Sequence, residues 1–142
     1  FIRRSRGYVP EPIHCESIEG TPILAMGSDL KNAFALNKGN EILIGPHIGD
    51  LENACTHETL EWTINRYENL FSIEPEKIII DSHPQFFSSH LGEHIGASSQ
   101  IPVVTVQHHH AHIASVMAEH NLIPTISSYS WSSFTRWGKS CL

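Results

Sequence analysis

The sequence predicts an α/β fold, a mixed sheet with helices on its faces, in the order β-β-β-α-β-α-β-α. Three observations predict it. Short apolar runs separated by turn residues follow one another from Ile23 to Gly45. A helical stripe comes next, with Leu60, Ile64, Tyr67 and Phe71 at i, i+4, i+7 and i+11. Two further apolar runs then alternate with helical segments. Strands in succession, then strands alternating with helices, imply a mixed sheet.

Each element has its own signal. Ile23 to Gly27 and Ala33 to Leu36 read as strands. The turn Asn37-Lys38-Gly39-Asn40 leads into a third strand, Glu41 to Gly45, with Gly and Asn supplying positive φ. The helix through Leu60 takes Thr56 as its N-cap and ends by Pro75. Three consecutive isoleucines, Ile78 to Ile80, suit a strand covered on both faces. Ser82 and Pro84 start a helix near Gln85 to Leu91. Val103 to Val106 is the last strand and His108 to Glu119 the last helix. This order matches the ribonuclease-H-like half of actin-type and sugar-kinase folds. Thr125 to Leu142 has six serines, two tryptophans and no clear period, so no element is assigned to it.

The chain has 142 residues, a formal net charge of -6, 17% charged and 40% hydrophobic residues. That suits one domain with a core and argues against non-specific nucleic-acid binding, which needs a basic surface. No run is apolar enough to span a membrane. The cysteines at positions 15, 55 and 141 are far apart and without an adjacent base, which points to a reducing, cytoplasmic compartment and gives no nucleophile. The start at Phe1 leads to the expectation of a fragment or a processed chain.

The histidines are the anomaly. Val106-Gln107-His108-His109-His110-Ala111-His112 follows a buried strand directly. On a helix His108 and His112 lie one turn apart on one face, where two neutral imidazoles can share a transition metal ion. They sit at the carboxyl end of a strand, where α/β sheets place their sites. Ala111 and Ser115 share that face, while Ile113, Val116 and Met117 form another, expected to pack on the sheet. Zinc or iron would need at least one further ligand. The plainer alternative is a solvated surface cluster. His109 and His110 point elsewhere on the helix, where they either contact substrate, support the metal ligands from behind, or lie at the surface.

Three other stretches carry polar groups at strand ends. Gly27 to Asn32 joins two strands, and Lys31 there is either a phosphate contact or a solvated turn residue. His47 to Asn53 contains Asp50, which is either functional or a local cap. Asp81-Ser82-His83-Pro84 closes a strand, with Asp81 and His83 either site residues or a helix cap with an exposed ring.

The chain resembles the hydrogenase-maturation carbamoyltransferase family, HypF. The matching stretches, in family order, are Arg3 to Ile13, Lys31-Asn32-Ala33-Phe34, His47 to Asn53, Asp81 to Pro84 and Val106 to Ser115. The resemblance implies a multidomain, cytoplasmic enzyme. Such enzymes use carbamoyl phosphate and ATP, and pass a carbamoyl group to the C-terminal cysteine of the partner HypE. It implies that residues 1–22 are the end of a YrdC-like domain and a linker, and that 23–122 are the first half of a TsaD-like domain. It makes His108 and His112 the metal pair, with a divalent iron or zinc ion polarising the carbamoyl carbonyl. It makes Lys31, Asn32, Asp50, Asp81, His83 and His109 candidate substrate or phosphate contacts, and it assigns no catalytic residue.

Residues 123–142 depart from the family, which continues there into an Asp-Gly-Thr-Gly phosphate loop. The expectation is a truncated or frameshifted reading frame, absent if no other frame of the coding DNA encodes that loop. With half the cleft missing, the chain alone is expected to transfer no carbamoyl group. Two other functions compete: a tRNA threonylcarbamoyl transferase relative, against which the negative charge counts, and a non-catalytic metal-binding module.

Overall fold

The computed structural model describes residues 11–15 and 20–119. In chain order its elements are β1 (Ile13–His14), β2 (Ile23–Ala25), β3 (Ala35–Lys38), β4 (Glu41–Ile44), α1 (Ala54–Phe71), β5 (Lys77–Asp81), α2 (Phe87–Ser99), β6 (Val103–Val106) and α3 (His108–Glu119). The strands form one sheet in the order β1-β4-β3-β2-β5-β6. It is antiparallel from β1 to β2 and parallel from β2 through β5 to β6. The expected mixed sheet and element order are present from β2 onward.

Several bounds differ from expectation, each for a physical reason. β1 lies in a stretch to which the sequence assigns no strand. It is a two-residue edge strand just after Pro12, where a missing N–H costs the ladder nothing. β3 starts two residues late because regular pairing begins with Ala35 opposite Ile44: the Gly45 N–H still donates to the Phe34 carbonyl at 2.8 Å, but Asn32 pairs with Gly49, two residues out of that register. In the β3–β4 hairpin only Gly39 takes a positive φ, 61°, and Asn40 does not. α1 is capped by Asn53 rather than Thr56. The Asn53 side chain accepts the Thr56 N–H at 3.1 Å, which places Thr56 inside the first turn. The expected stripe is present: Leu60 and Ile64 are buried, and Tyr67 and Phe71 pack against the core.

α2 departs most. It runs on past Leu91 to Ser99, and neither Ser82 nor Pro84 starts it. Its first N–H groups are orphans by construction, and Phe86 at its N-cap offers no side-chain oxygen. Asp29, from the β2–β3 loop, supplies both: its carboxylate accepts the N–H of Phe87 at 2.7 Å and of Ser88 at 2.9 Å. Gly92 and Gly96 continue the helix because they face the sheet, where an added Cβ at Gly92 would lie 2.5 Å from the Ile80 side chain.

The core lies on one face of the sheet. Leu24, Leu36, Leu43, Ile78 and Ile80 meet Leu60 and Ile64 of α1 and Leu91 of α2. Ile79 points to the other face and is only half-buried, so β5 is not covered on both sides by the described residues. The expected packing of the apolar face of α3 is not made there either, with Ile113 52% and Val116 53% exposed. Among the described residues no helix is long and apolar enough to cross a membrane.

Candidate functional site

Parallel pairing delivers two strand ends to one edge of the sheet. Asp81 of β5 is in register with Val106 of β6, and the Ser82 N–H donates to the Val106 carbonyl at 3.0 Å. α3 starts two residues beyond Val106, so its first turn opens beside Asp81. His108 Nδ1 lies 2.8 Å from Asp81 Oδ2. His112, one turn on, brings its Nε2 to 3.1 Å from His108 Nε2.

Two nitrogens bound to one tetrahedral zinc at about 2.05 Å stand about 3.3 Å apart. The observed separation fits such a pair, and both nitrogens are in a chemical class that zinc and iron accept. Asp81 is turned away from the shared point, onto the far side of the His108 ring. No group of three His, Cys, Asp or Glu side chains among the described residues surrounds a common point. His108 and His112 are therefore the two protein donors in view, and a third position is open.

Around this pair the structure distributes the other expected residues. His83 stacks on Phe86 at 4.2 Å between centroids, and its Nδ1 accepts the Gln85 N–H at 3.3 Å. Its own N–H donates to Asp81 Oδ1 at 3.0 Å. His109 turns to His110, ring edge to ring face at 4.6 Å, rather than to His108. Lys31, Asn32 and Asp50 form a separate cluster in two facing loops. Lys31 takes a left-handed φ of 51°, which its N–H bond to Asp50 Oδ1 at 2.7 Å supports. Asn32 is buried, pairs with Gly49, and donates its amide to the carbonyls of Met26 and Ser28. Its Oδ1 has no partner among the described residues.

The residues that join the two clusters carry no local signal. Asp29 holds the α2 N-terminus by its carboxylate and the Leu51 N–H by its carbonyl, at 2.9 Å. Ser88 Oγ donates to the Gly27 carbonyl at 3.1 Å, and Ser89 Oγ donates to the Asp81 carbonyl at 3.0 Å. These partners are up to 61 residues apart, beyond the reach of any spacing rule. At the opposite ends of the parallel strands a cleft of about 850 Å³ opens between α1 and α2, lined by Leu24, Ile78, Ile101 and Glu68. Burial raises the Glu68 carboxyl above its ordinary pKa. None of the expected site residues lines this cleft.

The model of the HypF Kae1-like domain matches residues 19–119. The chain belongs to the HypF carbamoyltransferase family. Carbamoyltransferase HypF2 of Cupriavidus necator is 42% identical over 120 residues, which are 84% of this chain and 15% of the relative. HypF of Synechocystis is 40% identical over 123 residues, 87% of this chain and 16% of the relative. A crystal structure of full-length HypF in its phosphate- and nucleotide-bound form superposes with a TM-score of 0.77 at 43% identity. It shares 84% of this chain and 15% of its own. T. kodakarensis HypF superposes with a TM-score of 0.78 at 35% identity, with the same coverage. The ribonuclease-H-like, actin-type architecture read from the element order is thus that of HypF, and the chain spans roughly one seventh of its relatives' length.

Proposed function

We propose that this chain is the metal-bearing first half of the transferase domain of a HypF-type enzyme. That enzyme uses carbamoyl phosphate and ATP to carbamoylate the C-terminal cysteine of a HypE-like acceptor in hydrogenase maturation. The observation that carries the reading is the convergence of His108 and His112 nitrogens at 3.1 Å, at strand carboxyl ends, in a chain whose relatives are carbamoyltransferases. His108 and His112 would hold a divalent iron or zinc ion. When bound, such an ion supplies a Lewis acid that polarises a carbamoyl carbonyl.

The chain's own residues do the remaining work by position. Lys31 is exposed at the tip of a loop whose backbone Asp50 and Asn32 hold in place, and it offers a cation to a phosphate. A full-length relative of the family has been crystallised in a phosphate- and nucleotide-bound form, which is consistent with an enzyme that uses ATP. His83, whose ring stacks on Phe86, and His109, whose ring meets His110, are the candidate substrate contacts. Residues 1–22 end a YrdC-like domain, and 23–122 begin the TsaD-like one. The tail 123–142, with its expected change of reading frame, lies outside the described residues. The reading places the enzyme in the cytoplasm. The HypF match favours it over a tRNA-modifying relative, for which the net charge of -6 is also unfavourable.

Metal analysis tests the reading. After incubation with zinc or ferrous iron and removal of excess, the chain retains about one ion per molecule and the variant His108→Ala/His112→Ala retains none. Equal metal in both removes the site. With ATP, carbamoyl phosphate and a HypE-like acceptor, the chain alone gives no carbamoyl transfer. Measured turnover would contradict the assignment to a half-domain.

A further inference from the structure

We propose that Asp81 is a positioning residue that selects the ring tautomer of His108, so that a lone pair rather than an N–H is aimed at the point shared with His112. The inference rests on the metal reading above for its functional consequence. Its physical core is a hydrogen-bond inventory in the metal-free chain.

The Asp81 side chain is only 9% exposed. Its Oδ1 accepts the His83 N–H at 3.0 Å, and its Oδ2 faces His108 Nδ1 at 2.8 Å. A carboxylate offers acceptors only, so the hydrogen in the second contact sits on Nδ1. A neutral imidazole has one N–H, which leaves His108 Nε2 as a lone pair. That nitrogen faces His112 Nε2 at 3.1 Å. Without metal, the His112 Nε2–H donates to it. To join His108 in holding a cation, His112 would release the Nε2 proton to solvent and take one up at Nδ1.

The carboxylate cannot follow the ring elsewhere. Ser89 Oγ donates to the Asp81 carbonyl and the next peptide N–H donates to Val106, both at 3.0 Å. The His83 ring, stacked on Phe86, holds the peptide that donates to Oδ1. A carboxylate, a histidine and a metal in line orient the ring and make it a better ligand.

Asp81→Asn tests this with almost no change of shape. An amide has one oxygen and one NH2, and the His83 N–H claims the oxygen. The NH2 then faces His108 Nδ1, which must accept, so the ring hydrogen moves to Nε2 and blocks the shared point. Nitrogen-15 NMR of the imidazoles, in the metal-free chain at a pH where they are neutral, reads His108 as the Nδ1–H tautomer in the parent and the Nε2–H tautomer in the variant. Competition with a chromophoric chelator for zinc shows affinity about 10–100-fold weaker in the variant. An Nε2–H tautomer at His108 in the parent overturns the proposal without any variant. So does a variant that keeps the parent's tautomer or the parent's affinity. The two possible failures are distinct. If His108→Ala/His112→Ala binds zinc as well as the parent, the metal reading falls and takes the functional half of this inference with it. If that variant loses zinc and Asp81→Asn does not weaken binding, only the role of Asp81 falls.

Discussion

Phe34→Ala lowers the stability of the chain by about 3–5 kcal/mol, the usual cost of emptying a large aromatic site in a core that cannot collapse. Phe34 is the largest of the fully buried side chains among the described residues, with 0% exposure. Its ring meets Tyr67 of α1 edge-on at 5.3 Å and 82°. Its other flank lies against Gly45, where an added Cβ would come within 2.5 Å of the ring. The cavity would therefore open between a helix and the backbone at the end of a strand, and the hydrogen bond from the Gly45 N–H to the Phe34 carbonyl holds the strand side of it in place. Small domains hold about 5–15 kcal/mol in total, so this single change removes a large share. Urea unfolding measures it, and a loss below about 1 kcal/mol would show that Phe34 does not join α1 to the sheet as described.

Gly92→Ala is the second large effect, and it is a test of α2 rather than of the core. In an exposed helix this change would gain up to about 1 kcal/mol. Here the new Cβ meets Ile80 Cγ2 at 2.5 Å and Met26 Cγ at 3.0 Å. The isoleucine is β-branched and stiff at χ1, so it cannot swing aside. Overpacking costs about 1–3 kcal/mol, which exceeds the propensity gain, and the net result is destabilisation. α2 lifting from β5 would also strain the Asp29 contacts at its N-terminus and the Ser89 bond to Asp81. Weaker zinc binding is therefore expected alongside the lower unfolding midpoint. A stabilised variant with parental zinc affinity would contradict the close packing of α2.

What the sequence made legible follows the range of the interactions. β6 and α3 have the bounds read, Val103 to Val106 and His108 to Glu119, and β5 extends the Ile78 to Ile80 run by one residue at each end, because apolar runs and helical periods are local. The His108 and His112 pairing was legible for the same reason, one turn of helix. The start of α2 was not, because its cap is Asp29, 58 residues away. Its extension to Ser99 is not legible locally either, because Gly92 and Gly96 are poor helix residues in isolation and only the sheet they approach accounts for them. Asp81 was readable as a candidate site residue, but its partner His108 is 27 positions away. Thr56 and Asn53 are both good caps, and only backbone angles at Asn53, φ -139° and ψ 160°, decide between them. Ile113 and Val116 were expected to pack on the sheet; that face is exposed among the described residues, because pattern identifies an apolar face without identifying what covers it.

X-ray absorption at the zinc edge of the loaded chain tests the shared cation most directly. The account predicts imidazole scattering from two ring nitrogens at about 2.0–2.1 Å, lost in His108→Ala/His112→Ala. A spectrum with no imidazole signal, or one that the double variant leaves unchanged, would contradict it.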